Sequence, residues 1–372
     1  MWKLFLCLSR KKTPCPVNKA CQGTVKTGVR EVAYVFLFYL PDFMFVKEEY
    51  DLEKTLLVSS SPHLRDGATT RRIMIDVVIS LIPASAAGVY FFGPRVLLVL
   101  LTTVLSCVLF EYLSRKAMKR ESTILDFSAV VTGVLLALNL PPTIPLWVAA
   151  VGGFIAIVII KQLFGGLGQN FMNPAMGARV FLIIAYPKFM SNWIIPETDA
   201  VSSATPLSML KEAEAVTGSF PDYFDLFIGK IGGCIGETSV LAILIGAAYL
   251  VYRRVINLET PLTIIATVAL FTWIFGGDAL FTGDFIYHIL SGGLMFAAFF
   301  MATDYTTFPV TKKGRIIAGI GCGFITAIIR LYANYPEGIS FAILLINIAT
   351  PLIDRFTVPR SFGGEKPVAQ HN

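Results

Sequence analysis

A chain of 372 residues that is 55% hydrophobic and only 15% charged, with 29 Phe and mean hydropathy +0.68, holds more apolar side chain than a water-soluble domain of its size buries. That excludes a soluble enzyme and points to an all-α polytopic membrane protein. The formal charge of +6 does not indicate a nucleic-acid binder, because the Lys and Arg residues sit in short clusters between apolar runs, where they act as orientation signals.

The chain begins with a basic, partly apolar extension, residues 1–54. Within it the run from Val32 to Val46 is broken by Pro41 and falls short of the roughly 20 residues a spanning helix needs. It reads as an interfacial anchor or as a start upstream of a true initiator at Met44. Cys7, Cys15 and Cys21 lie here without metal-type spacing, while Cys107, Cys234 and Cys322 fall in apolar segments, so neither a metal site nor a disulfide framework is expected. Residues 55–72 form a polar cytoplasmic lead-in. Ten crossing or partly crossing segments then follow, near 73–92, 94–113, 124–140, 144–164, 174–186, 233–252, 262–276, 285–303, 316–333 and 338–356. The segments at 174 and 262 are too short to span unaided, so they are expected to be broken, re-entrant or buried among neighbours. Residues 73–186 make a first membrane repeat, 187–230 an outer loop, 231–357 a second repeat and 358–372 a cytoplasmic tail.

Alternate loops carry the positive charge: Arg115, Lys116, Lys119 and Arg120, then Lys161, then Arg253 and Arg254, then Lys312, Lys313 and Arg315, then Arg355 and Arg360. The positive-inside rule places these loops and both termini in the cytoplasm and the 187–230 loop outside. Two echoes suggest an internal repeat. Asp126, Phe127 and Ser128 resemble Glu237, Thr238 and Ser239, and the glycine pair after Lys161 resembles the pair after His288. Five segments per half would invert the second copy, as in transport-type folds.

Three groups of residues carry candidate chemistry. In the polar stretch DAVSSATPL, Asp199 to Leu207, Thr205 is a candidate covalent anchor. In GGLGQNFMNPAMGAR, Asn173 caps a helix whose first residue is Pro174, and Arg179 lies about one turn further in. That segment either receives an anionic or polar group or packs closely through its glycines while Arg179 pairs with a carboxylate. Acids inside or at the ends of apolar segments, Asp76, Asp126, Glu237 and Asp304, are costly there and call for a partner or a task. Asp126, Glu237 and Asp304 are candidates for an ion path. Simple capping, or pairing of Asp76 with Arg72, is the alternative.

Residues from about Leu56 to Phe356 resemble the RnfD and NqrB family of membrane redox subunits. The resemblance rests on SSSPHLRDGATTRRIMIDV, ILDFSAVVTGVLLALNLPP, FGGLGQNFMNPAMGARVF, DAVSSATPL and MATDYTTFPVTKKGR. The family's flavinylation pattern is Asp, two variable positions, Ser or Thr, Gly, Ala and Thr. Asp199, Ser202, Ala204 and Thr205 match it, and Ser203 stands where Gly is usual. The resemblance implies FMN held by a phosphoester to Thr205, attached by a separate flavin transferase, with room for a second, non-covalent flavin. It implies a place in the bacterial inner membrane beside RnfA, RnfB, RnfC, RnfE and RnfG, in a complex coupling ferredoxin:NAD electron transfer to Na+ or H+ movement. The chain has no dinucleotide fingerprint and no iron-sulfur cysteine cluster, so it would not be catalytic alone. A cofactor-free transporter or channel for a small polar solute is the reading from another class. A quinone-reducing variant of the NqrB type fits less well, because the chain from Leu56 matches the shorter RnfD type.

Overall fold

The computed structural model describes residues 69–193, 205–211, 221–277, 279–333, 335 and 337–359, all within the unit Gly67–Asn372. The expectations for 1–54, for most of the 55–72 lead-in and for the tail from 360 lie outside these residues.

The described chain is helical throughout. Its elements are α1 (Thr70–Phe92), α2 (Arg95–Ala117), a short turn of 3-10 helix (Ile124–Asp126), α3 (Ser128–Leu138), α4 (Leu146–Phe154) running on as π-helix (Ile155–Gln162), α5 (Pro174–Ala185) and α6 (Pro187–Met190). Then come α7 (Pro206–Lys211), α8 (Tyr223–Ile228), α9 (Val240–Tyr252), α10 (Glu259–Phe275), α11 (Phe285–Leu290), α12 (Leu294–Phe296) running on as π-helix (Ala297–Met301), α13 (Lys312–Tyr332) and α14 (Ile339–Thr357). Four of these, α1, α2, α13 and α14, are long and apolar enough to cross a membrane. The outward side of α2 is a row of leucines at Leu97, Leu101, Leu105, Leu109 and Leu113, each about half exposed. Apolar side chains facing out and Ser, Thr and charged groups facing in are what a lipid solvent selects.

Helix starts follow capping chemistry. Thr69, Ser239, Asp284 and Thr311 each accept a hydrogen bond from an amide three residues on, and Asn173 accepts from the amides of Ala175 at 3.0 Å and Met176 at 3.3 Å. Several expected segments are shorter or more broken than their hydropathy suggests. The 233–252 segment is helical only from Val240, and the 285–303 segment breaks at Ser291, Gly292 and Gly293 before it resumes as α12. The reason is local: Gly292 adopts φ +67°, which glycine allows and most residues resist.

Unwound backbone at membrane depth needs partners of its own. Here two such stretches serve each other, since the Gly236 amide donates to Leu138 O at 2.7 Å and the Ile235 amide donates to Leu140 O at 3.1 Å. Around them α1 packs on α9 and α5 on α14, while α2 packs on α4 and α10 on α13.

Candidate functional site

The short helix α5 and the breaks beside α3, α9 and α14 converge on one side chain. Arg179 stands in the middle of α5, 2% exposed, and its guanidinium fork reaches all three breaks. Nη1 donates to Asn139 Oδ1 at 2.5 Å and to Glu237 Oε1 at 2.6 Å, while Nη2 donates to Glu337 and, at 3.5 Å, to Cys234 Sγ. Asn139 follows α3, Cys234 and Glu237 precede α9, and Glu337 precedes α14. A guanidinium offers five donors in a fixed plane, which suits it to tie several chain segments together where water is absent. Of the two readings of this segment, pairing of Arg179 with a carboxylate is the arrangement found.

Thr205 lies beside this cluster. It precedes α7, is half-buried, and its Oγ1 accepts from the Ser208 amide at 3.3 Å. It lines a small cavity of about 10 Å³ with Ile231, Glu237, Thr238, Gly292 and Glu337. Two contacts hold its segment down. Leu207 is 3% exposed and buried against the chain at Gly292, and Lys211 Nζ donates to the carbonyls of Ile329 at 3.3 Å, Tyr335 at 2.7 Å and Ala333, at the end of α13. Burial, and then Arg330, draw the Lys211 amine below its ordinary range. Asp199, Ser202, Ser203 and Ala204 lie outside the described residues.

A second buried ion pair joins α2 to the π-helical end of α4. Lys161 Nζ is 3.2 Å from Glu111 Oε2 and donates to Ser128 Oγ at 2.8 Å, with the two charged side chains 2% and 0% exposed. Glu111 also accepts from Gln162 Nε2 at 3.1 Å and from Thr123 Oγ1 at 2.7 Å. This corrects the placement of Lys161 as a loop cation: the wider π turn carries both Lys161 and Gln162 inward to the acid.

An open cleft of about 100 Å³ runs past Thr132, Lys161, Asn170, Asn173, Phe300 and Asp304. Asp304 accepts from Thr306 N at 3.3 Å and from Thr307 Oγ1 at 3.1 Å, closing the turn after the second π-helix. Asn173 and Asp304 therefore share this cleft, Arg179, Glu237 and Thr205 belong to the other cluster, and Asp126 stands half-buried in the 3-10 turn before α3. Asp76 does not pair with Arg72. It faces α9, where Arg253 Nη2 donates to it at 3.0 Å and Tyr249 OH at 3.0 Å, while Arg72 is exposed in the first turn of α1.

Three residues of these clusters escape a reading for apolar segments. Glu111 is signalled by an acid inside the run VLSCVLFEYL, and Glu337 by its place after a proline, in YPEG, where a helix restarts. Asn139 carries no signal beyond the prolines that follow it.

The NQR2, RnfD, RnfE family model matches residues 57–363. The chain is similar to a subunit of the Na(+)-translocating ferredoxin:NAD(+) oxidoreductase complex of Acetobacterium woodii, 52% identical over 84% of this chain and 97% of the relative. It is 44% identical to a subunit of the proton-translocating ferredoxin:NAD(+) oxidoreductase complex of Clostridium ljungdahlii, over 85% of this chain and 98% of the relative. With a subunit of the ion-translocating oxidoreductase complex of Escherichia coli O1:K1 the identity is 34%, over 83% of this chain and 99% of the relative. Matched over most of its length by this family and by these full-length relatives, the chain belongs to the NQR2, RnfD, RnfE family of multi-pass membrane proteins.

Proposed function

We propose that this chain is the membrane electron-transfer subunit of an ion-translocating ferredoxin:NAD oxidoreductase complex, with FMN joined through its phosphate to Thr205. The observation that supports it most is the position of Thr205. Its hydroxyl closes a flavinylation-type sequence and is half-buried at a cavity that leads to the buried Arg179 cluster. Attachment would form the bond from Thr205 Oγ to phosphorus and break the pyrophosphate of FAD, with AMP leaving, on a separate transferase. The residues present suit that step, because among the described residues Thr205 Oγ1 has Ser208 as its hydrogen-bonding neighbour and the segment that follows it is anchored by Leu207 and Lys211. When bound, the flavin would supply one-electron chemistry. The chain's own part is to hold the anchor in place, to seal the path beneath it with the Arg179 cluster and to line the open cleft with Thr132, Lys161, Asn170 and Asn173; a second, non-covalent flavin belongs to that cleft if one binds.

RnfA, RnfB, RnfC, RnfE and RnfG are the partners in this reading, with the complex in the inner membrane, both termini cytoplasmic and the Thr205 loop outside. The relatives are named for Na+ in one organism and for the proton in another, and the ion in this reading is Na+ or H+.

The packing also supports an inverted repeat of five segments, in a register different from the sequence echoes. Segments one and six, α1 and α9, pack on each other, as do five and ten, α5 and α14, while α2 with α4 matches α10 with α13. Gly153 in α4 abuts Ser106 of α2, and Gly323 in α13 abuts Thr267 of α10. Lys161 and Arg330 then become counterparts, seven residues after Phe154 and six after Phe324, the extra residue being the one a π-helix absorbs.

The test is intact mass and in-gel flavin fluorescence of the subunit co-expressed with a flavin transferase, with Thr205→Val as control. A gain of one FMN less water, lost in the variant, is expected. No gain with a competent transferase moves the reading to a cofactor-free transporter built around the open cleft.

A further inference from the structure

Glu237 and Glu337 take the two neighbouring amino groups of one guanidinium, Nη1 and Nη2 of Arg179. The planar fork thereby sets their carboxyl groups side by side. Glu237 spends Oε1 on Arg179, and its Oε2, on a side chain 2% exposed, has no donor among the described residues. Consecutive glycines form the floor of this contact. A Cβ on Gly293 would come within 2.8 Å of the Glu237 carboxyl carbon, and one on Gly292 within 3.4 Å of Glu337 Oε1.

Two buried carboxylates held side by side repel one another unless positive charge or a proton offsets it. Arg179 sits to one side of both. Arg330, also buried, turns its amino groups to the carbonyls of His288 and Ser291 and adds charge nearby without bonding either acid. Cys234 lies against Arg179, His288 lies behind Arg330, and Lys211 is held at the end of α13. None of these places a donor between the two carboxyl groups.

We propose that Glu237 and Glu337 share a single exchangeable proton and form a proton-binding site that opens through the Thr205 cavity. The Thr238 hydroxyl, 1% exposed and also without a partner among the described residues, lines the same cavity and gives the proton a first stop toward water. The site itself stands independently of any flavin. Its coupling rests on the flavin reading: a negative charge gained at Thr205 tightens the pair's hold on the proton, taken from water in the cavity, and loss of that charge returns the proton to the same water.

The experiment is infrared spectroscopy of the full chain in lipid nanodiscs across a pH series, in flavin-free Thr205→Val and in flavin-loaded protein. In the flavin-free chain a protonated-carboxyl stretching band persists at neutral pH and is lost in both Glu237→Gln and Glu337→Gln. Carboxyl-labelled glutamate displaces the band in a chain with both acids intact, which decides the matter even if a Gln variant does not fold. In flavin-loaded protein the midpoint of the band rises by about one pH unit, a tenfold tighter hold. A neutral-pH band that is absent, unmoved by glutamate label or retained in either Gln variant overturns the shared proton, leaving ordinary ion pairs to Arg179. A chain that gains no flavin but keeps the band overturns the flavin reading alone.

Discussion

Lys161 and Glu111 neutralise each other at 3.2 Å in a place neither could occupy alone, with Ser128, Gln162 and Thr123 filling the rest of their hydrogen-bonding capacity. Breaking such a pair from one side strands a charge at a cost of about 3–5 kcal/mol, whereas replacing both partners with apolar groups is often close to neutral. Lys161→Met is therefore expected to lower the thermal midpoint strongly, and Lys161→Met with Glu111→Leu to recover most of it. Scanning fluorimetry of the wild type and the two variants in one detergent checks this; equal losses in the single and double variants would place the stabilisation elsewhere.

Lys211 ties the Thr205 segment to the last turn of α13 through three carbonyls. Lys211→Met removes those bonds from a half-exposed site, so global stability is expected to change by no more than about 1–2 kcal/mol. On the flavin reading proposed above, flavin occupancy at Thr205 is expected to fall severalfold, because the anchor is no longer held at its cavity. Quantifying flavin per chain by mass, beside the thermal midpoint, separates the two effects.

Ser203 is the one departure from the flavinylation pattern. Ser203→Gly removes a side chain next to the backbone that a transferase must approach, and faster flavin attachment in a timed co-incubation is the expected result. Equal rates would show that the transferase tolerates the hydroxymethyl group.

Gly293 leaves no room for a side chain, since a Cβ there would overlap the Glu237 carboxyl group. Gly293→Ala must push Glu237 off Arg179 or shift the α11–α12 break, at a cost of about 1–3 kcal/mol. The Arg179 cluster should loosen, seen as faster amide exchange in α5 and before α9, while α2 and α4 remain unchanged.

Much of this arrangement is legible in the sequence because hydropathy, proline and glycine act locally. The Asn173 and Pro174 start, the shortness of α5 and the breaks at glycine pairs all follow from a few adjacent residues. Partners are another matter. Arg72 is one helical turn from Asp76 and was the obvious counter-ion, yet the acid turns inward to Arg253, 177 residues away in sequence. Lys161 reads as a loop cation until the π turn is known, since a wider helix rotates it inward. Glu337 follows a proline in what looks like a surface turn, and only the meeting of four chain segments makes it a ligand of Arg179. Pairings of this kind depend on the three-dimensional path, which local pattern does not encode.

The tie between Arg179 and its acids also sets an order of events during synthesis. Glu237 follows Arg179 by 58 residues and Glu337 by 158. At about 5–20 residues per second the ribosome needs roughly 8–30 s after Arg179 to deliver the last acid. Until Glu237 follows, α5, 12 residues long, has Asn139 but no counter-charge for its guanidinium, and so neither the length nor the neutrality to rest in lipid. The first half of the chain thus completes its seating only when the second half arrives, and a ribosome stalled before Glu337 leaves a nascent chain with its central helix still unsecured.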